Sequence, residues 1–163
     1  MTSAPKHSLS PGVSLKARAV GYLSRREHSR AELARKLRPY AQGDDGGAEI
    51  EAVLDDLQRE GWLSNERYAQ SLVHRRAPQR GTARIVQELR QQGLPDAVVA
   101  QAREQLKATE YERALAVWTK RYGNKPAGQP PDPAEYARQA RFLAGRGFSH
   151  ETIRRVLGGE GLY

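Results

Sequence analysis

The side chains with the clearest chemical reach in this sequence are basic, and they recur in pairs: Arg25-Arg26, Arg75-Arg76 and Lys120-Arg121. Adjacent cations attract polyanions and acidic protein surfaces, and they speed encounter with both. A single pair also has a structural use, because cations near a helix C-terminus complement the helix dipole. Three pairs in register favour a binding element. Other chemistry is thin. The histidines His7, His28, His74 and His150 contain no i, i+4 pair, so no helix face presents two imidazoles to a metal. They read as tail, surface or capping residues. The acidic block Asp44, Asp45, Glu49, Glu51, Asp55, Asp56, Glu60 and Glu66 flanks an apolar helical stripe. It reads as a solvated face or as partners for basic residues. No phosphate-binding glycine loop and no G-x-S-x-G elbow occurs. With no Cys, thiolate nucleophiles, disulfides and Cys-ligated zinc or iron–sulfur sites are excluded, and a reducing cytoplasm is expected. The residues give no basis for catalysis, a metal or a cofactor.

The elements that must position these cations are helices. Apolar residues recur at spacings of 3, 4 and 7: Ala19, Val20, Tyr22 and Leu23; Leu33 and Leu37; Ile50, Val53, Leu54 and Leu57; Ile85, Val86 and Leu89; Ile153, Val156 and Leu157. Ser29-Arg30-Ala31-Glu32 has the form of a capping box. Pro39 should stop the helix that follows it, and Gly43–Gly47 reads as a loop. Asp132-Pro133 is an N-cap with proline in the first turn, and Gly158-Gly159 should close the last helix. Nine helices are expected and no strand. Gly61-Trp62, Gly93-Leu94 and Gly147-Phe148 each place glycine at a left-handed C-cap, with an apolar residue that folds back on the helix it ends. Tyr22, Trp62, Trp118 and Phe148 are assigned to packing. No apolar run is long enough to span a membrane.

The helices repeat. Ala19, Tyr22, Leu23, Arg25 and Arg26 align at an offset of 50 with Ala69, Leu72, Val73, Arg75 and Arg76. A further 45 residues on stand Ala114, Val117, Trp118, Lys120 and Arg121. Leu89, Gly93, Leu94 and Val99 align with Leu143, Gly147, Phe148 and Ile153 at an offset of 54. The chain therefore reads as a disordered tail over 1–14 and three tandem three-helix repeats over 15–63, 64–108 and 109–160. Such units bury little alone, and stacking them predicts an elongated, curved array. Charge is uneven along it. Residues 1–40 carry nine Lys/Arg against two Asp/Glu, residues 41–70 two against eight, and the formal net charge is +8.

Taken in order, these residues resemble the RecX family, bacterial regulators of the RecA recombinase. The resemblance covers about residues 15–158. It is carried by Ala19–Leu23 with Arg25, Ser29, Glu32-Leu33 and Lys36-Leu37, and then by Leu57, Gly61-Trp62-Leu63-Ser64, Glu66 and Tyr68-Ala69. It continues through Arg75-Arg76, Gly81, Ile85, Glu88-Leu89 and Gly93-Leu94, then Arg141-Phe142-Leu143, Arg146-Gly147-Phe148-Ser149, Ile153 and Val156-Leu157. The loops at Gly43–Gly47 and Pro126–Pro133 look longer than usual for the family, and Asn65 stands where the family often has Asp.

The resemblance implies an all-α fold of three tandem three-helix repeats. It also implies a non-enzymatic protein that lodges in the groove of the RecA–single-stranded DNA filament. There it limits filament growth and suppresses ATP hydrolysis, strand exchange and the co-protease activity behind the SOS response. The contact face is expected to hold Arg25, Arg26, Arg75, Arg76, Lys120 and Arg121, helped by Arg30, Arg80, Arg84 and Arg146. Weak, salt-sensitive binding to single- or double-stranded DNA is expected beside it. A monomer is the simplest state. The alternative is a sequence-independent DNA-binding module, although no helix shows a stripe suited to reading bases.

Overall fold

The computed structural model describes residues 12–123 and 131–158. The tail before Gly12, with His7, lies outside the described residues, as do the loop residues 124–130 and Gly159. Every regular element among the described residues is helical. They are α1 (Leu15–Leu23), α2 (Arg30–Leu37), α3 (Gly46–Arg59), α4 (Asn65–Arg76), α5 (Thr82–Gln91), α6 (Asp96–Ala108), α7 (Glu110–Tyr122), α8 (Pro133–Gly145) and α9 (His150–Gly158).

The helix starts follow local chemistry. Ser14 Oγ accepts from Ala17 N–H, Ser29 Oγ from Glu32 N–H and Asp132 from Glu135 N–H, so each fills a donor that the first turn leaves open. Pro39 does not end the chain's winding at once. It sits in a single 3₁₀ turn, Arg38–Tyr40, where its missing N–H costs nothing. The expected loop at Gly43–Gly47 is shorter than the sequence suggested. Helix α3 begins at Gly46, which is buried against Ala41.

The three glycine caps take left-handed backbone, with φ of 83° at Gly61, 73° at Gly93 and 96° at Gly147. At two of them the next residue folds back: Leu94 and Phe148 are buried. At Gly61 it does not. Trp62 remains 46% exposed, and Leu63 takes the buried place instead, its N–H donating to Leu57 O at 3.1 Å. The packing role expected of Trp62 is therefore corrected. Tyr22 and Trp118 are half-buried against the cores, and Trp118 Nε1 donates to Gln139 at 2.8 Å.

The chain divides into two compact units, Met1–Tyr68 and Ala69–Tyr163, which meet within α4. In the first, α1, α2 and α3 pack together around Leu15, Ala19, Leu33, Leu37, Ile50, Leu54, Leu57 and Leu63. His28, read from sequence as a surface or capping residue, belongs to this unit and is not on the surface but buried. Burial lowers its pKa, and the neutral ring fits its partners: Arg26 O lies 3.1 Å from Nδ1 and the Lys36 ammonium 2.9 Å from Nε2.

The second unit holds two three-helix stretches joined in three ways. Only Thr109 separates α6 from α7. Gly81 lies directly on Gly147, and its N–H donates to Arg146 O at 2.8 Å. Glu110 and Arg113, one turn apart on α7, reach back into the preceding stretch. The Glu110 carboxylate accepts from Thr82 N–H, and from the hydroxyls of Ser149 and Thr152 on the other side. The Arg113 guanidinium donates to the carbonyls of Ala77, Arg80 and Leu106 and to Thr82 Oγ1. Burial pushes its pKa down, but the nearby Glu110 charge opposes the shift. Around these polar ties, Ala114, Leu143, Phe148, Ile153 and Val156 form the core of α7, α8 and α9.

Candidate functional site

Arg75-Arg76 and Lys120-Arg121 fall in the last turns of α4 and α7. Arg25-Arg26 lie just beyond α1, which stops at Leu23, short of the place the repeat predicts. The two members of a pair differ. In the first unit Arg25 is exposed, and no carboxylate among the described residues pairs with it. Arg26 instead pairs with the shielded Glu32 at 2.5 Å. In the second unit Arg75 is exposed and reaches only Ser71 O, on its own helix. Arg76 crosses to α5 and chelates Glu88 through Nε and Nη2, and Arg80 adds a third contact to the same carboxylate. The first member of each of these pairs is thus free for a partner, while the second holds the fold.

This division separates two variants that the sequence treats alike. Arg75→Glu should change unfolding free energy by less than about 0.5 kcal/mol, because it touches only solvent and its own helix. Arg76→Glu sets a carboxylate against Glu88 and should cost about 2 kcal/mol in urea denaturation. Equal effects would show that the Arg76–Glu88 link is not used.

Arg30 is also engaged. Burial works against its charge, but Glu51 and Asp55 on α3, at 2.5 and 2.9 Å, more than compensate and raise its pKa. The acidic block therefore serves basic partners within its own unit. Lys16 pairs with Glu60, and Asp56 with Arg59. Arg84 on α5 donates to Gly145 O, which ties it to the Gly81–Gly147 joint.

The third pair is arranged differently. Lys120 and Arg121 are both exposed, and no carboxylate pairs with either among the described residues. With Arg146 they line one shallow depression, floored by Pro78, Ala116, Val117 and Phe142 and edged by Gln79. Arg146 donates to Gln79 O and lies 5.2 Å from the Phe142 ring centre. Of the ten cations expected on a contact face, these three line one concavity together. The apolar floor was not foreseen, since the sequence marked Val117 only as a repeat position and Phe142 only within the family resemblance.

A second cleft in this unit is lined by Arg90, Arg103, Lys107 and Arg155, and equally by Glu110, Glu112 and Glu151. Its lining is of mixed charge, and Arg155 lies over the Tyr111 ring at 4.3 Å.

Three family descriptions match this chain in series. RecX first three-helix domain matches residues 16–40, the second 64–102 and the third 108–157. The chain belongs to the RecX family. Curated relatives named Regulatory protein RecX agree over most of both chains. The one from Ralstonia nicotianae is 54% identical over 147 residues, covering 90% of this chain and 88% of its own. That from Leptothrix cholodnii is 56% identical, covering 90% and 89%. That from Pseudomonas putida is 42% identical, covering 92% and 93%. The crystal structure of RecX from Lactobacillus salivarius superposes with a TM-score of 0.72 at 20% identity, covering 91% of this chain and 96% of that one. It supports the RecX fold. No helix among the described residues is long and apolar enough to cross a membrane.

Proposed function

We propose that this RecX chain regulates RecA by binding the RecA–single-stranded DNA filament in its groove and limiting filament growth. ATP hydrolysis, strand exchange and co-protease activity fall as a consequence. The reading is carried by membership of the RecX regulatory family over nine-tenths of the chain. The exposed Arg25, Arg75, Lys120, Arg121 and Arg146 support it, because several weak cationic contacts on one chain give avidity without a deep pocket. Each such contact weakens as salt rises. The protein acts in the cytoplasm as a monomer and needs no cofactor.

The test is the single-stranded-DNA-dependent ATPase rate of the cognate RecA, titrated with this protein. Inhibition below one chain per RecA protomer is expected, and it would favour capping or disassembly over coating. No effect at a folded, equimolar dose would overturn the reading. A shift of naked DNA at physiological salt, with RecA unaffected, would support direct DNA binding instead.

A further inference from the structure

We propose that the depression lined by Lys120, Arg121 and Arg146 takes an acidic peptide segment carrying one aliphatic side chain, presented by a protein partner. This deepens the RecA reading by naming the chemistry of the surface that lodges there, and it rests on that reading only for the partner's identity.

Three observations carry it. First, the charge is one-sided. Three cations line the depression, and no carboxylate among the described residues does. In the neighbouring cleft, by contrast, Glu110, Glu112 and Glu151 share the lining with four basic residues. An acidic ligand meets complementary charge in the first place and mixed charge in the second. Second, the floor is apolar. Val117 and Phe142 are half-buried, so each keeps a face toward the depression. A chain of acidic residues alone would leave that surface wet, whereas one Leu-sized side chain would cover it.

Third, the aromatic ring is already engaged. Phe142 stands edge-to-face with Tyr122, with centroids 5.6 Å apart and planes at 88°, and Arg146 lies against it. Tyr122 in turn leans on Trp118 at 6.3 Å. Single-stranded nucleic acid is held by bases stacked on free ring faces. A ring already placed between Tyr122 and Arg146 suits an aliphatic contact better than a stacked base. The observations therefore favour protein over nucleic acid at this place.

The test uses the full chain and amide chemical-shift titration. The probes are an acetylated heptapeptide of Asp and Glu with a central Leu, the same peptide with a central Ser, and a twelve-residue oligo-dT. The Leu peptide is expected to shift the amides of Val117, Lys120, Arg121 and Phe142. It should bind about tenfold tighter than the Ser peptide, the effect of partly burying one aliphatic side chain. Lys120→Glu with Arg121→Glu, both exposed, should abolish these shifts while the rest of the spectrum stays folded. Equal affinity for Leu and Ser peptides, or shifts confined to other residues, would overturn the proposal. So would oligo-dT moving the same amides at lower concentration, which would give the depression to nucleic acid. The RecA ATPase titration is independent. If it succeeds while the peptides fail, only this inference is lost. If it fails while the Leu peptide binds, only the RecA reading is lost.

Discussion

Gly81→Ala is expected to remove about 3 kcal/mol of stability from the second unit, a large share of what a domain of this size possesses. The cause is steric. Gly81 has φ −77°, which alanine adopts freely, so backbone strain plays no part. A Cβ built on it lands inside the van der Waals shell of the Gly147 carbonyl and of Phe148 N. Both obstacles are backbone, so no side chain can turn aside. Gly147 cannot retreat either. Its φ of 96° is left-handed, and a Cβ there would come within 2.6 Å of Arg84 Cβ. The two glycines thus allow two backbones to touch where the second and third stretches join. Thermal or urea unfolding followed by Trp118 fluorescence, in a Trp62→Phe background, reads this unit alone. Gly145→Ala, at the end of α8 in the same unit, is the control. Nothing lies within 4 Å of a Cβ there, and it should stabilise by about 0.5–1 kcal/mol. Equal effects of the two substitutions would show that the Gly81 contact is not tight.

Glu110→Ala should cost the same unit about 3 kcal/mol near neutral pH, because it strips an acceptor from three donors, two of them on the buried Thr82 and Thr152. Those donors are Thr82 N–H at 3.1 Å, Thr152 Oγ1 at 2.6 Å and Ser149 Oγ at 3.2 Å. The cost should also depend on pH. Burial by itself would raise the pKa of Glu110, but the hydrogen bonds from Thr152, Thr82 and Ser149 outweigh it and hold the carboxyl below its ordinary 4.5. A depressed folded pKa contributes stability that is fully present above the unfolded value. That contribution disappears as pH falls through 4.5 toward the folded value. The gap between wild type and variant should therefore narrow below about pH 4.5. Urea midpoints measured from pH 7 to 3 test this, and a constant gap across the range would deny the linkage.

Much of this protein was legible in its sequence because helices are local objects. Apolar spacing, the serine and aspartate caps and the three glycine stops each act within about two turns, so the nine helices among the described residues follow from neighbours in the chain. The triple repeat was legible for the same reason, since equivalent positions repeat the same local demands. At Gly61 the local rule ran out. Whether Trp62 or Leu63 turns inward depends on which side of the corner the core lies, and that is set by helices elsewhere.

The candidate site shows the same limit. Sequence identified ten basic residues, six on the face and four helping, but did not separate paired from unpaired ones, because every basic side chain carries the same charge. Tertiary structure decided which of those charges remain available. Glu32 takes Arg26, Glu88 takes Arg76 and Arg80, and Glu51 with Asp55 takes Arg30. Arg25, Arg75 and Lys120 are left exposed at the equivalent place in each repeat. These pairings join residues 6 to 25 positions apart, beyond the reach of any helical period. Composition and periodicity determined that this chain is a basic, all-helical repeat protein. Only the Arg76–Glu88 link between α4 and α5 and the packing of α7 with α8 and α9 decided which charge stays unpaired beside an apolar floor, because neutralisation and concavity are properties of surfaces brought together in space.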